Sequence, residues 1–404
     1  MINLEPPAKL DALTYQANMA ALHILRPISR KYDSAEHAYP VELDALAELV
    51  NQANAQQAGL NTNDDPEPAS AEPSGDGNIN GRNLASLIGL VEMCWGDVGL
   101  MLTMPRQGLG QAAIRAVATP EQMSRFGGKW AAMAITEPEA GSDSAAIRTT
   151  AVLDGDDYVL NGEKIFVTSG DRAELIVVWA TLDRAAGRGA IKSFVVERDN
   201  AGLRLDRLEH KLGIRASDTA NFVLENCRVP KENLLGSPEI TTAREGFAGV
   251  MQTFDNTRPM VAGMAVGVAR AALERTRELL EQAGAEIDYV RPPALQSAAV
   301  AEFIRLEADW EASRLLALKA AWMSDNHVPN TVAASIAKAK AGRVATDITL
   351  RCVALCGTVG FGEDELLEKW ARDAKILDIF EGTQQIQQLV IARQLLGKPS
   401  SELR

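Results

Sequence analysis

The chain has 404 residues and a formal net charge of −13. This acidic balance argues against nucleic acid or an anionic membrane surface as the main partner, because both are bound by basic faces. A chain of this length is expected to fold into two or three units of about 100–200 residues each.

Cysteine and histidine are sparse, with four of each. The cysteines form no CxxC pair and the histidines are distant from one another in sequence, which argues against a metal site, a disulfide framework and a Ser-His-Asp hydrolase. The start, MINLEPPAKLDAL, lacks a basic stretch followed by an apolar one, and no apolar run reaches about 18 residues. We therefore expect a cytoplasmic protein of a reducing compartment, without a membrane span.

Residues 1–130 have a helical pattern. Apolar residues recur three and four positions apart, as in NLASLIGLVEMCWGDVGLMLTM, which predicts helices with one buried face. The segment 61–81, NTNDDPEPASAEPSGDGNING, has no such period and is rich in Pro, Gly, Asp and Asn. It is predicted to be a solvated loop between helices.

The pattern then changes twice. Residues 131–236 alternate with a period of two, and the turn pairs DG at 154–155 and NG at 161–162 interrupt them, which predicts an antiparallel β-barrel or sandwich. Residues 237–404 return to the helical period and predict a four-helix bundle. The predicted fold is therefore multidomain α+β, with an all-α N-terminal domain, a β domain and a C-terminal bundle.

Two short segments near the start of the β region are candidate ligand sites. MAITEPEAGSD, residues 133–143, is a bent stretch with free backbone N–H groups and hydroxyls that suit an anionic ligand, although its composition also fits a loop between domains. NGEKIFVTSG, residues 161–170, puts Phe166 and Thr168 on one strand face. Such a pair suits a planar heterocycle, although core packing explains most such pairs.

The segment FDNTRP, residues 254–259, is interpreted as a helix start. Asp255 or Asn256 is expected to cap the helix, and Pro259 suits its first turn. This interpretation leaves Arg258 without a role.

Near the C-terminus, Glu381 follows an apolar stretch and precedes Gly382 in the sequence ILDIFEGTQQIQ. A carboxylate among apolar neighbours costs several kcal/mol to ionise unless a partner or a reaction uses it. Glu381 is therefore either a satisfied structural acid or a base kept reactive by desolvation.

Taken in chain order, these segments resemble the acyl-CoA dehydrogenase family from about residue 80 to the C-terminus. The matching motifs are TEP-x-AGSD, NG-x-K-x-x-x-T, K-x-G-x-R-x-SDT, VP-x-EN-LLG, FD-x-TRP and RDAKI-x-x-I-x-EGT-x-QIQ. The resemblance implies a helical-β-helical fold, an FAD cofactor and an acyl-CoA substrate oxidised to the trans-2-enoyl-CoA. It also implies that an electron-transfer flavoprotein accepts the electrons.

The resemblance assigns roles to single residues. Glu381 occupies the position of the catalytic base, and burial that raises the pKa of a carboxylate above its usual value of about 4 suits it to deprotonate a thioester. Some family members carry the base near FDNTRP instead, where this chain has Thr257. Contacts to FAD are implied for Met133, Ile135, Thr136, Gly141, Ser142, Phe166, Thr168, Thr383 and Gln385. Contacts to the CoA substrate are implied for Ser142, Asp255, Arg258, Gly382 and Arg393.

The departures from the family pattern concern the contacts that one subunit offers to its neighbour's FAD. Residues 284–297 lack the family's phenylalanine-glycine pair, and Ala354 and Thr358 replace a glutamine and a glycine in the second motif. A threonine there adds a Cβ where backbone must approach pyrophosphate, and alanine removes a hydrogen-bonding amide. A hetero-oligomer with a second acyl-CoA dehydrogenase-like chain is therefore favoured over a homo-oligomer.

Two alternatives to a dehydrogenase stay open. The chain could be a non-catalytic or FAD-sharing subunit of a heteromer, although retention of Glu381, Thr136, Ser142 and Thr168 speaks against a scaffold. An acyl-CoA oxidase, which uses O₂ as acceptor, is the second alternative, although oxidases are usually longer.

Overall fold

The computed structural model describes most of the chain. The described residues are 7–49, 79, 81–106, 108–240, 248–399 and 402, with the side chains of 248–256 excepted. The loop predicted at 61–81 lies outside the described residues except for Ile79 and Gly81. No described helix is both long enough and apolar enough to cross a membrane.

The N-terminal part is helical, as predicted. Helix α1 runs through a π-helical turn into α2, and the long helix α4 packs against α1 and against the bundle. The seven helices described here are α1 (Asp11–Ala20), α2 (Arg26–Ser34), α3 (42–49), α4 (Arg82–Gly96), α5 (Val98–Leu102), α6 (Leu109–Val117) and α7 (Pro120–Phe126). Helix α7 begins with a capping box, in which Thr119 and Gln122 each bond the other's backbone N–H.

The middle part is a mostly antiparallel sheet. Its order is β6-β7-β3-β2-β4-β5-β8, with β1 paired to β4 in parallel and β2 touching β4 in parallel. The strands are β1 (Ala131–Ala134), β2 (Thr150–Asp154), β3 (Asp157–Thr168), β4 (Leu175–Thr181), β5 (Ile191–Glu197), β6 (Leu203–Leu208), β7 (Thr219–Pro230) and β8 (Leu234–Leu235). The prediction of a turn at Asn161-Gly162 was wrong, because β3 runs through both residues with a β-bulge against β7. The strand then continues to Phe166 and Thr168.

The C-terminal part is a helical bundle in which the last helical stretch is interrupted between residues 375 and 383. Three long helices pack on one another, and three shorter helices pack against α10. They are α8 (Ala248–Gln282), α9 (Ala298–Asp325), α10 (Thr331–Leu355), α11 (Gly357–Phe361), α12 (Leu367–Ala374) and α13 (Gln384–Leu396). A 3₁₀ turn and a short loop separate α12 from α13, and this interruption contains Glu381. The helical-β-helical order expected from the sequence is therefore confirmed.

The predicted helix start at FDNTRP was also wrong. Pro259 does not open a helix, because α8 already includes Ala248 and runs through Pro259. Proline removes one N–H donor and crowds the preceding turn, but packing of the long helix against α4, α9 and α10 overrides that local preference. Asp255 and Asn256 therefore lie inside the helix and do not cap its start.

A buried charge cluster joins the three parts of the chain. Lys369 on α12 contacts Asp97 at 2.7 Å and Asp373 at 2.5 Å, and all three side chains are buried. Asp97 caps α5 by accepting the N–H of Leu100, and Asp373 accepts the N–H of Ile214 from the β domain. The ammonium group thereby connects the N-terminal helices, the β domain and the bundle.

Candidate active site

The loop between α12 and α13 has an unusual backbone. Glu381 has φ 56° and Gly382 has φ 89°, so two consecutive residues are left-handed. This conformation suits glycine, but it strains a residue with a Cβ, and such strain is held where the surroundings determine it. A Cβ on Gly382 would lie 2.5 Å from Gln387 Nε2, so both φ and space require glycine there.

Two buried side chains hold this turn. Lys338 Nζ from α10 donates to Gly382 O at 2.7 Å, and Gln387 Nε2 from α13 donates to the carbonyls of Glu381 and Gly382, each at 3.1 Å. Thr383 caps α13 by accepting the N–H of Ile386. The turn is therefore fixed from both sides, and the direction of the Glu381 side chain is set by its neighbours.

The Glu381 carboxyl is half-buried and has one hydroxyl partner. Thr257 Oγ1 donates to Glu381 Oε2 at 2.9 Å. Burial raises the pKa of Glu381 above 4.5, while the Thr257 hydroxyl and the charges of Lys338 and Arg258 lower it. The desolvation effect is the largest, so the group is a stronger base than a solvated glutamate. Arg258, which the capping interpretation left without a role, is buried beside this carboxyl.

The raised pKa of Glu381 should make the melting temperature of the protein depend on pH. The folded state binds the Glu381 proton more tightly than the unfolded state, so the ionised carboxylate destabilises the fold above pH 4.5 and costs nothing below it. Glutamine keeps an acceptor for Thr257 without the charge. We expect Glu381→Gln to raise the melting temperature by a few degrees at pH 7 and to leave it unchanged near pH 4, measured by thermal unfolding across pH. A lower melting temperature at pH 7 would contradict the assigned pKa shift.

On the β domain, a buried ion pair anchors the segment that follows β1. Lys164 Nζ lies 2.7 Å from Glu137 Oε1 and 3.1 Å from Ile135 O, and both side chains are buried. Glu137 also accepts both the N–H and the hydroxyl of Thr149. Glu137 and Lys164 each lie in one of the sequence motifs, but the motifs do not predict that the two side chains bind each other. Because Lys164 is on β3 and Glu137 is in the segment after β1, this buried ion pair holds residues 135–142 against β3.

The face of β3 expected to contact a planar ligand is exposed. Phe166 and Thr168 are both exposed, whereas Val167 between them is buried, as the predicted alternation requires. A β-bulge lies between Lys164 and Val167, and Phe166 within it has φ 57°, with its N–H donating to Asn221 Oδ1. A bulge re-aims a side chain, and here it presents an aromatic ring with 59% of its surface exposed.

The structure gathers the predicted residues into two groups. On the β domain, Met133, Ile135 and Thr136 are half-buried on and after β1, and Gly141 and Ser142 are exposed on the same segment. In the bundle, Gly382 and Thr383 adjoin Glu381, Gln385 is exposed on the first turn of α13, and Arg393 is exposed on its last. Asp255 lies on α8, and its side chain is outside the described part of the chain.

A third group was not expected from the sequence. The histidines are distant along the chain, yet His37 and His210 lie with ring centroids 5.3 Å apart beside Glu36. Glu36 already accepts the N–H of Lys211 and contacts His210 and Arg215. A metal ion there would compete with the guanidinium of Arg215 for the same carboxylate, so we assign no ion to this cluster.

Comparison with known proteins identifies the family. The family model for the acyl-CoA dehydrogenase middle domain matches residues 132–227, and the C-terminal domain model matches residues 244–396. A short-chain-specific acyl-CoA dehydrogenase of Clostridium acetobutylicum is 36% identical over 327 residues, or 78% of this chain and 83% of that protein. The chain belongs to the acyl-CoA dehydrogenase family. The resemblance inferred from the motifs, and the enzyme class it implies, are therefore confirmed.

Solved structures of this family have the same fold. The butyryl-CoA dehydrogenase of Megasphaera elsdenii superposes with a TM-score of 0.81 at 29% identity and covers 98% of this chain and 100% of its own. A glutaryl-CoA dehydrogenase in complex with glutaryl-CoA gives 0.82 at 26% identity, covering 98% and 97%. Acyl-CoA dehydrogenases are FAD flavoproteins, which makes the two groups of residues candidates for a flavin and a substrate site.

Proposed function

We propose that this chain is an FAD-dependent acyl-CoA dehydrogenase in which Glu381 is the catalytic base. The reaction removes one hydrogen from C2 and one from C3 of an acyl-CoA thioester and forms the trans-2-enoyl-CoA. The observation that carries the proposal is the placement of Glu381, a carboxyl with a raised pKa that Thr257 contacts, on a strained turn that Lys338 and Gln387 hold. A structural acid would not require that geometry.

The residues on the β domain fit a flavin. Phe166 and Thr168 offer an exposed ring and an exposed hydroxyl two residues apart, which suits a heterocycle with both apolar and hydrogen-bonding edges. When bound, FAD accepts the C3 hydrogen as a hydride. The residues proposed to hold it are Met133, Ile135, Thr136, Gly141, Ser142, Phe166, Thr168, Thr383 and Gln385.

Within the proposal, the chain's own groups move the proton. The Glu381 carboxylate takes the C2 proton while Thr257 keeps its orientation. The N–H of Glu381 makes no hydrogen bond to other described residues, which supports a role as donor to the thioester oxygen as negative charge develops there. The proposed substrate contacts are Ser142, Asp255, Arg258, Gly382 and Arg393.

We propose a short acyl-CoA as the first substrate to test. The Clostridium relative is named short-chain specific, and the two solved structures are named for butyryl-CoA and glutaryl-CoA. Anaerobic titration of the FAD-bound protein with butyryl-, glutaryl-, palmitoyl- and steroid-type acyl-CoA should bleach the flavin with at least one of them and yield the enoyl product. Failure of the whole series would refute the proposed activity.

The proposed electron acceptor follows from the family resemblance. We propose an electron-transfer flavoprotein as acceptor and a cytoplasmic location. Oxygen uptake during turnover would identify an oxidase instead. Re-oxidation of the reduced protein by an electron-transfer flavoprotein, with little oxygen uptake, would support a dehydrogenase.

We further propose that the protein pairs with a second acyl-CoA dehydrogenase-like chain. Ala354 and Thr358 are both exposed, as are Val290 and Phe361 in the two segments that depart from the family pattern. These surfaces are accessible to a neighbouring subunit but lack the expected FAD contacts. Co-purification with a second chain and about one FAD per two chains would support the heteromer. Full FAD occupancy in protein expressed alone would contradict it.

A further inference from the structure

Lys338 is a buried cation that the proposed reaction does not use directly. It lies in the N-terminal half of α10 with no exposed side-chain surface, and its ammonium group donates to Gly382 O. Burial of an ammonium group is costly, and it lowers the pKa of Lys338 to about 8. An apolar side chain of the same length would pack in the bundle without that cost, so the lysine is expected to serve a purpose.

We propose that Lys338 is a positioning residue for the catalytic base, which fixes the Glu381–Gly382 turn by its hydrogen bond and favours the ionised carboxylate by its charge. This inference deepens the proposed function and rests on Glu381 being the base. It assigns a role on α10 to a residue that neither the motifs nor the comparisons single out.

The hydrogen bond acts on geometry. Both residues of the turn are left-handed, and Glu381 has a Cβ that disfavours this conformation. The Gly382 carbonyl is held by Lys338 and Gln387 together, so loss of Lys338 leaves only the 3.1 Å bond from Gln387. Relaxation of the turn would move the carboxyl relative to the substrate, and a displacement of about 1 Å is enough to lower a rate by about 100-fold.

The charge acts on protonation. The charged groups that face Lys338 are Asp378 before the turn, Glu381 within it and Arg258 on α8. Burial raises the pKa of Glu381, and Lys338 and Arg258 are the two cations that lower it. Removing Lys338 removes one of these two effects, so a smaller fraction of Glu381 would be ionised at neutral pH.

The test compares Lys338→Met, which removes the donor and the charge, with Lys338→Gln, which removes the charge but keeps a donor. Lys340→Met is the matched control, because Lys340 lies two residues along α10 and pairs with Asp309 at the surface. In FAD-bound protein, we expect Lys338→Met to lower kcat about 10- to 100-fold with KM changed less than about threefold. The acid limb of kcat/KM should move to higher pH in both Lys338 variants and stay in place in the control.

A second readout does not depend on turnover. Infrared pH titration follows the protonated carboxyl band that disappears in Glu381→Gln, and this band should persist to higher pH in both Lys338 variants. An unmoved band in Lys338→Gln, or in Lys338→Met where that variant folds, would overturn the inference. If wild-type protein oxidises no acyl-CoA but the band shifts as expected, the coupling stands and the proposed reaction fails.

Discussion

Replacing Glu381 by glutamine is expected to lower kcat by about 10²- to 10⁴-fold while FAD remains bound, because general base catalysis contributes that range. Glutamine keeps the size of the side chain and an acceptor for Thr257, so the turn and its hydrogen bond are preserved. It cannot take a proton from C2. The measurement is steady-state turnover with the best acyl-CoA of the titration series, together with the flavin absorbance of the purified variant.

The control for this experiment is Glu363→Gln. Glu363 is an exposed carboxylate in the loop after α11, so its replacement should leave kcat within about twofold. A Glu381→Gln protein that keeps more than about a tenth of wild-type kcat would show that another group is the base. The same variant is expected to be more stable than the wild type at pH 7. Such an exchange of stability for activity is typical of a catalytic residue.

The largest stability effect is expected for Lys369→Met. Lys369 is the cation that contacts the buried carboxyls of both Asp97 and Asp373, and its removal takes that contact from both of them. Removing one partner of a buried pair typically destabilises by about 3–5 kcal/mol. Burial already raises the pKa of Asp373 despite Lys369, so the uncompensated group is expected to bind a proton. Urea unfolding of the wild type and the variant at pH 7 measures the loss.

Two further variants show whether the loss of stability comes from the buried charges or from replacing any lysine by methionine. Lys231→Met removes an exposed lysine paired with Asp156 and is expected to change stability by less than about 0.5 kcal/mol. The triple variant Asp97→Asn, Asp373→Asn and Lys369→Met removes all three charges and should regain part of the loss. If Lys369→Met alone unfolds at the same urea concentration as the wild type, the cluster does not hold the three parts together.

The sequence predicted the fold order because each part has a strong and regular hydrophobic period. It mispredicted the start of α8 because Pro259 and its polar neighbours match a local capping pattern, while the helix is stabilised by contacts from distant elements. Local preference is a weak guide where tertiary packing is extensive. Phe166 and Thr168 are both exposed, but the bulge and the left-handed backbone at Phe166 could not be read from the alternation.

The sequence did not predict which side chains the site residues contact. Glu137 and Lys164 are 27 positions apart and Lys338 and Gly382 are 44 apart, so no short pattern links either pair. The same holds for His37 and His210, whose separation in sequence hid their proximity. Buried charged residues within apolar helices or strands are a usable signal, because each of them requires a partner. Lys338, within the mostly apolar start of α10, fits that description.

The most direct test of Glu381 as the base is a single anaerobic turnover with butyryl-CoA, or another acyl-CoA that bleaches the flavin, carrying deuterium at C2. If Glu381 removes the C2 proton, flavin reduction should be slower with the deuterated substrate in wild-type protein, and it should be almost absent in Glu381→Gln protein with bound FAD. Flavin reduction that is insensitive to deuterium at C2 and equally fast in Glu381→Gln would contradict this assignment.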